Sequence, residues 1–71
     1  SMEKLFSQQN YLRRKARVAL AENVGVFKAS DFAEILDIEI GSYYNWINGA
    51  YDLSSKKARY FEDFLSDIVD Y

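Results

Sequence analysis

The chain has no cysteine, no histidine and no proline, and only three glycines. Without cysteine there is no disulfide framework. Without cysteine and histidine together there is no Cys/His zinc site and no triad built on an imidazole base. Catalysis would fall to carboxylates, tyrosine or lysine. The nearest carboxylates, Asp31, Glu34, Asp37 and Glu39, are spread around a short helical stretch and turn with no evident pocket, so a non-enzyme without cofactor or metal is expected. No run approaches the ~18 consecutive apolar residues of a membrane span, and the first residues lack the apolar stretch of a signal peptide. The expectation is a soluble protein of the cytoplasm with no membrane partner. Ser1 ahead of Met2 reads as a cleavage remnant.

What is present is apolar and aromatic. At 71 residues there is room for a single domain, residues 1–71, with one core. The 49% apolar and 17% aromatic content is too rich for a disordered chain, which leaves several short helices closing on one another. The net charge of -2 conceals a polarity. All nine basic residues precede position 60, whereas Glu62, Asp63, Asp67 and Asp70 form a tail with no base.

Apolar periodicity predicts a first helix from about Gln8 to Val24, with Leu12, Ala16, Ala19, Leu20 and Val24 inward and Arg13, Arg14 and Arg17 solvated. Residues 1–7 form either a frayed arm or a short element whose Leu5 and Phe6 cover the core. Ser30 suits an N-cap, with Asp31 and Glu34 where the dipole of a second helix favours negative charge; that helix ends near Asp37. A third helix spans about Ile40 to Asn48, stopped by Gly49. A fourth, capped from Asp52–Ser55, runs to about Val69 with Ala58, Phe61, Leu65 and Ile68 inward.

Residues 30–49 read as one unit, SDFAEILDIEIGSYYNWING: two short helices separated by three or four residues, a spacing that forces a steep crossing. Ala33 is small where the second helix presses closest, and Leu36, Ile38, Tyr43 and Trp46 are apolar at inward-facing offsets. Through Phe32-Ala33, Leu36, Ile38, Ser42, Tyr43, Asn45-Trp46 and Asn48-Gly49 the unit resembles the helix-turn-helix of the Cro and lambda-repressor-like (XRE-type) phage and bacterial regulators. The resemblance covers residues 30–49 without a gap and extends loosely over most of the chain. It implies an all-α, compact, four- to five-helix DNA-binding domain. Asp37 stands where the family usually has glycine, and aspartate tolerates a left-handed backbone better than most residues. Ile40 and Gly41 stand where the family often has polar side chains.

At about 100° per residue, Tyr43, Trp46 and Ile47 share one side of the third helix, and Gly41, Tyr44, Asn45 and Asn48 the other. The resemblance places that second face in the major groove of double-stranded DNA. Ile40, Gly41, Tyr44 and Asn45 are then the base-reading positions, Asn45 by a bidentate contact to adenine and Ile40 against a thymine methyl. Lys28, Ser30, Asn48, Tyr51, Ser54, Ser55, Lys56 and Lys57 become phosphate contacts.

In the fourth helix Tyr60, Phe64 and Tyr71 widen the apolar arc. Either Leu5, Phe6 and Tyr11 cover this stripe within one chain, or it is the contact of a homodimer that binds two half-sites. The sequence thus predicts a transcriptional regulator of phage repressor or Cro-like type, acting in a bacterial host cell. The alternative is a protein-binding antirepressor or inhibitor on the same fold, for which the net negative charge speaks.

Overall fold

A computed structural model describes the backbone of residues 2–69 and the side chains from Gln8 to Val69. Helices α1 (Met2–Glu22), α2 (Ala29–Leu36), α3 (Ile40–Ile47) and α4 (Ser55–Ile68) follow in order, and no strand occurs among the described residues. None of the described helices is long and apolar enough to cross a membrane. Helix α2 packs chiefly on α3, and α1 on α4. The question of whether Leu5 and Phe6 cover the core, like the placement of Tyr71, lies outside the described side chains.

Thirteen apolar residues drawn from all four helices and the α3–α4 loop form one core, built around Leu12, Phe32, Tyr43, Trp46, Phe61 and Leu65. Phe32 lies at its centre, its ring 5.3 Å from Phe61, 5.9 Å from Phe64 and 6.3 Å from Tyr43, each near edge-to-face. Such pairs contribute about 0.5–1.5 kcal/mol each beyond their burial.

The first helix differs from its expected span at both ends. It starts at Met2 and stops at Glu22, so Val24 leaves the inner stripe and is 80% exposed. The cause is local. Gly25 takes a left-handed backbone with φ 88°, and the Val26 and Phe27 amides both donate to the Asn23 carbonyl, turning the chain before a further helical step. The turn swings Phe27 back over the core, its ring edge-on to Phe64 at 5.8 Å. Phe27 therefore covers Phe64, whereas Tyr11 is 49% exposed.

Helix α2 starts earlier than expected, because Lys28, not Ser30, is the N-cap. The Asp31 carboxylate accepts a hydrogen bond from the Lys28 amide at 2.8 Å, half of a capping box, and this geometry requires Asp31 to be the third helical residue. Ser30 falls inside the first turn. At the other end Ile38 N–H donates to the Ala33 carbonyl and Asp37 N–H to that of Glu34, with Asp37 at φ 56° and ψ 48°. This is a Schellman ending with aspartate in the left-handed position. Helix α3 ends the same way: Ala50 donates to Asn45 and Gly49 to Trp46, with Gly49 at φ 84°. At α4 the Ser54 hydroxyl accepts from the Lys57 amide.

Candidate nucleic-acid interface

Helix α3 has only eight residues, too few to hold its shape alone. Two anchors fix it from beneath. Tyr43 and Trp46 are buried, three residues apart, with their rings 5.9 Å from each other. The opposite face is open. Ile40 is 41% and Tyr44 52% exposed, and Gly41, Asn45 and Asn48 are exposed as well. The division of faces expected from helical geometry is the one observed.

The last four carbonyls of a helix have no partner within it. In α3 each has found one elsewhere. Tyr44 O accepts from the Asn48 amide and Asn45 O from Ala50. Trp46 O accepts from Gly49 N and also from Arg13 Nε. Ile47 O accepts from the Arg17 guanidinium at 2.8 Å. Two of these donors come from α1, which they tie to the C-terminal end of α3.

Arg13 corrects the expectation that it is solvated: it is 4% exposed. Beyond Trp46 O its guanidinium donates to Asn10 Oδ1, to Tyr51 O at 2.8 Å and to Asp52 Oδ1 at 2.9 Å, and it lies 5.6 Å from the Trp46 ring centre. Burying a charge is tolerated here because a carboxylate and several further acceptors surround it. One turn earlier, buried Gln9 accepts from the Trp46 indole and from Leu53 N, and donates to Leu53 O. Gln9, Arg13 and Arg17 stand four residues apart, so they form one polar row along α1 facing the end of α3. Apolar periodicity did not mark this row; long polar side chains at four-residue spacing were the available signal.

The remaining expected contacts are scattered. Lys28 and Ser30 are exposed at the start of α2. Tyr51 is 38% exposed in the α3–α4 loop, where its carbonyl is held by Arg13. Ser54 and Ser55 are exposed at the start of α4, as is Lys56. Lys57 is instead turned inward: its ammonium donates to Leu36 O at 2.7 Å and to Asp37 O at 3.3 Å, tying α4 to the end of α2. Tyr60 is 61% exposed, while Phe64 is half-buried against Phe27, Phe32 and Phe61 and is no free contact surface. With Arg13, Lys15 and Lys57 drawn inward, the exposed cations among the described side chains are Arg14, Arg17, Lys28, Lys56 and Arg59.

Two features complete the electrostatics. The Tyr43 hydroxyl is buried with no hydrogen-bond partner among the described residues. Burial pushes this phenol above its ordinary range and neighbouring Tyr44 adds to the shift, while Arg17 pulls against it. At the other end of α3, Glu34, Asp37 and Glu39 edge an open groove of about 560 Å³ whose apolar lining includes Ile38 and Ile40. No family model matches the chain, and neither a curated protein nor a solved structure matches it.

Proposed function

We propose that this protein is a sequence-specific regulator that binds double-stranded DNA, of the phage repressor or Cro-like type, and that α3 is its recognition helix. The observation that carries the reading is the exposed face of α3, with Tyr44, Asn45 and Asn48 standing outside a buried Tyr43–Trp46 anchor. Amide and phenol groups on a helix narrow enough for the major groove are the chemistry that reads base edges. Arg17 contributes a guanidinium held at the C-terminal end of that helix. There it can meet a phosphate while Asn45 faces the bases. Lys28, Asn48 and Tyr51 are further backbone contacts in this reading.

Selection from a random duplex library at low salt tests it. A palindromic consensus, with binding that falls steeply as salt rises, is the expected result. Absence of binding to duplexes of diverse sequence at low salt overturns it.

The groove beside the front of α3 favours a second reading. Three carboxylates there oppose a phosphate backbone and suit a basic protein segment. If duplex DNA is not bound, the protein is an inhibitor or antirepressor that engages another protein through this corner.

A further inference from the structure

The outward face of α4 carries a charge pattern that no ion pair among the described residues uses. Arg59, Tyr60, Asp63 and Asp67 follow Lys56 at three, four, seven and eleven residues, which places all five in an arc of about 100°. All are exposed, and none of the four charged ones has an ion-pair partner among the described residues. The stripe is basic at its N-terminal half and acidic at its C-terminal half. The 61%-exposed Tyr60 ring lies near its middle. Beside it runs an open trough of about 460 Å³, lined by Ser55, Lys56, Arg59, Tyr60 and Asp63.

A helix face polarised in this way is complementary to itself when turned end for end. A two-fold axis crossing the stripe midway between Tyr60 and Asp63 sets Lys56 against Asp67 of a second copy, and Asp67 against its Lys56. The same operation brings Arg59 next to Asp63 of the second copy on both sides of the axis. It also lays each Tyr60 ring toward the trough of the other chain. A parallel arrangement would oppose like charges at every step. We propose that the protein pairs with a second copy of itself through antiparallel α4 helices in this register.

Phe64, for which the sequence left intrachain cover and a homodimer contact both open, has no part in it, since Phe27 covers it. A single helix-on-helix contact is small beside the roughly 1,200–2,000 Å² that stable interfaces bury, so the dimer is weak in free solution and strengthened by salt removal. The pairing does not depend on the DNA reading. Where that reading holds, the pairing presents two α3 helices related by a dyad, the symmetry a palindromic site requires.

Charge exchange tests the register, in the absence of DNA, by sedimentation equilibrium at low salt. The native chain is expected to associate reversibly, and Arg59→Glu and Asp63→Arg each to weaken association by about tenfold, because two attractive contacts become repulsive. Mixing the two variants restores association. The carboxylate introduced at position 59 of one then faces the guanidinium introduced at position 63 of the other, and the unaltered Asp63 faces the unaltered Arg59. Restoration on mixing also shows that both variants are folded, and circular dichroism of each alone checks it independently. The proposal is overturned if the native chain stays monomeric up to roughly millimolar concentration, or if the mixture associates no better than its components. Binding of the monomer to a single half-site is measured separately, so loss of the dimer and loss of DNA recognition are told apart.

Discussion

The carboxamide oxygen of Gln9 lies 2.8 Å from the Trp46 indole nitrogen and 3.2 Å from the Leu53 amide, while its nitrogen donates to the Leu53 carbonyl at 3.1 Å. One fully buried side chain thus fixes both the anchor of α3 and the start of the segment leading to α4. Burial and pairing act together, because in a dry site an unpaired amide or indole costs more than the paired one contributes.

Gln9→Leu keeps the volume and removes the pairing. It leaves the Trp46 and Leu53 N–H groups and the Leu53 carbonyl unpaired in the interior. The expected loss is about 2–4 kcal/mol, read from urea unfolding with the helix content followed at 222 nm. A loss below about 1 kcal/mol would mean that the interior supplies other partners.

Arg13→Lys tests whether charge or shape matters one turn further along α1. Lysine keeps the positive charge beside Asp52 but cannot span Trp46 O and Tyr51 O with a planar fork. Destabilisation of about 1–3 kcal/mol is expected in spite of the retained charge, measured by thermal or urea unfolding. A variant as stable as the native chain would reduce the role of Arg13 to a simple ion pair.

Tyr43→Phe removes a buried hydroxyl that bonds to none of the described residues. The substitution is expected to be neutral or stabilising by up to about 1 kcal/mol at neutral pH. Its effect grows in alkali, and the sign follows from the raised phenol. The folded chain keeps the Tyr43 proton at a pH where the unfolded chain has lost it. Native stability therefore declines as pH rises through and beyond the ordinary phenol value of about 10. Unfolding curves of the two proteins should diverge above that pH, with the phenylalanine variant the more stable. Parallel curves would show that the Tyr43 hydroxyl is solvated.

Much of the fold was legible because apolar spacing and turn residues carry it. Ala33, Leu36, Tyr43 and Trp46 are inside where the helical period put them, and Asp37 and Gly49 take the left-handed backbone that ends α2 and α3. The failures share a cause. Arg13 and Lys57 were read as surface charges because periodicity scores side chains by polarity, not by what lies within reach of their ends. Both are long enough to deliver a cation to carbonyls across the fold, and the C-terminal ends of α2 and α3 supply those carbonyls. For Phe64, cover within one chain and a homodimer contact were both open, and the ring found over it, Phe27, comes from a loop with no periodicity to announce it.

The two left-handed positions allow a paired comparison. Gly49→Ala places a β-carbon on a backbone at φ 84°, and although space is open around it, a loss of about 1 kcal/mol is expected from the backbone alone. Asp37→Gly relaxes the same kind of position at φ 56° and is expected to be neutral or stabilising by up to about 1 kcal/mol. Urea midpoints of the two variants should therefore move in opposite directions, or only that of Gly49→Ala should fall.

Asn45 and Arg17 separate reading from holding. Asn45 is exposed on the open face of α3, so Asn45→Ala is expected to leave stability within about 0.5 kcal/mol of native. In the DNA reading its amide discriminates one base pair. Truncation should then cost about 1–3 kcal/mol on the selected site and much less on sites altered at that position, flattening preference there alone. Arg17→Ala has a different signature. Its guanidinium is at the water-exposed end of α3, where Ile47 O can turn to solvent, so the stability cost stays below about 1 kcal/mol. Affinity should fall by a similar factor on every sequence, and the slope of log affinity against log salt should drop by about one unit, the mark of a lost phosphate contact. Competition binding across a panel of single-base variants, at three salt concentrations, measures both effects. If Asn45→Ala weakens all sequences equally, α3 does not read bases through that amide, and the groove edged by Glu34, Asp37 and Glu39 becomes the surface to pursue.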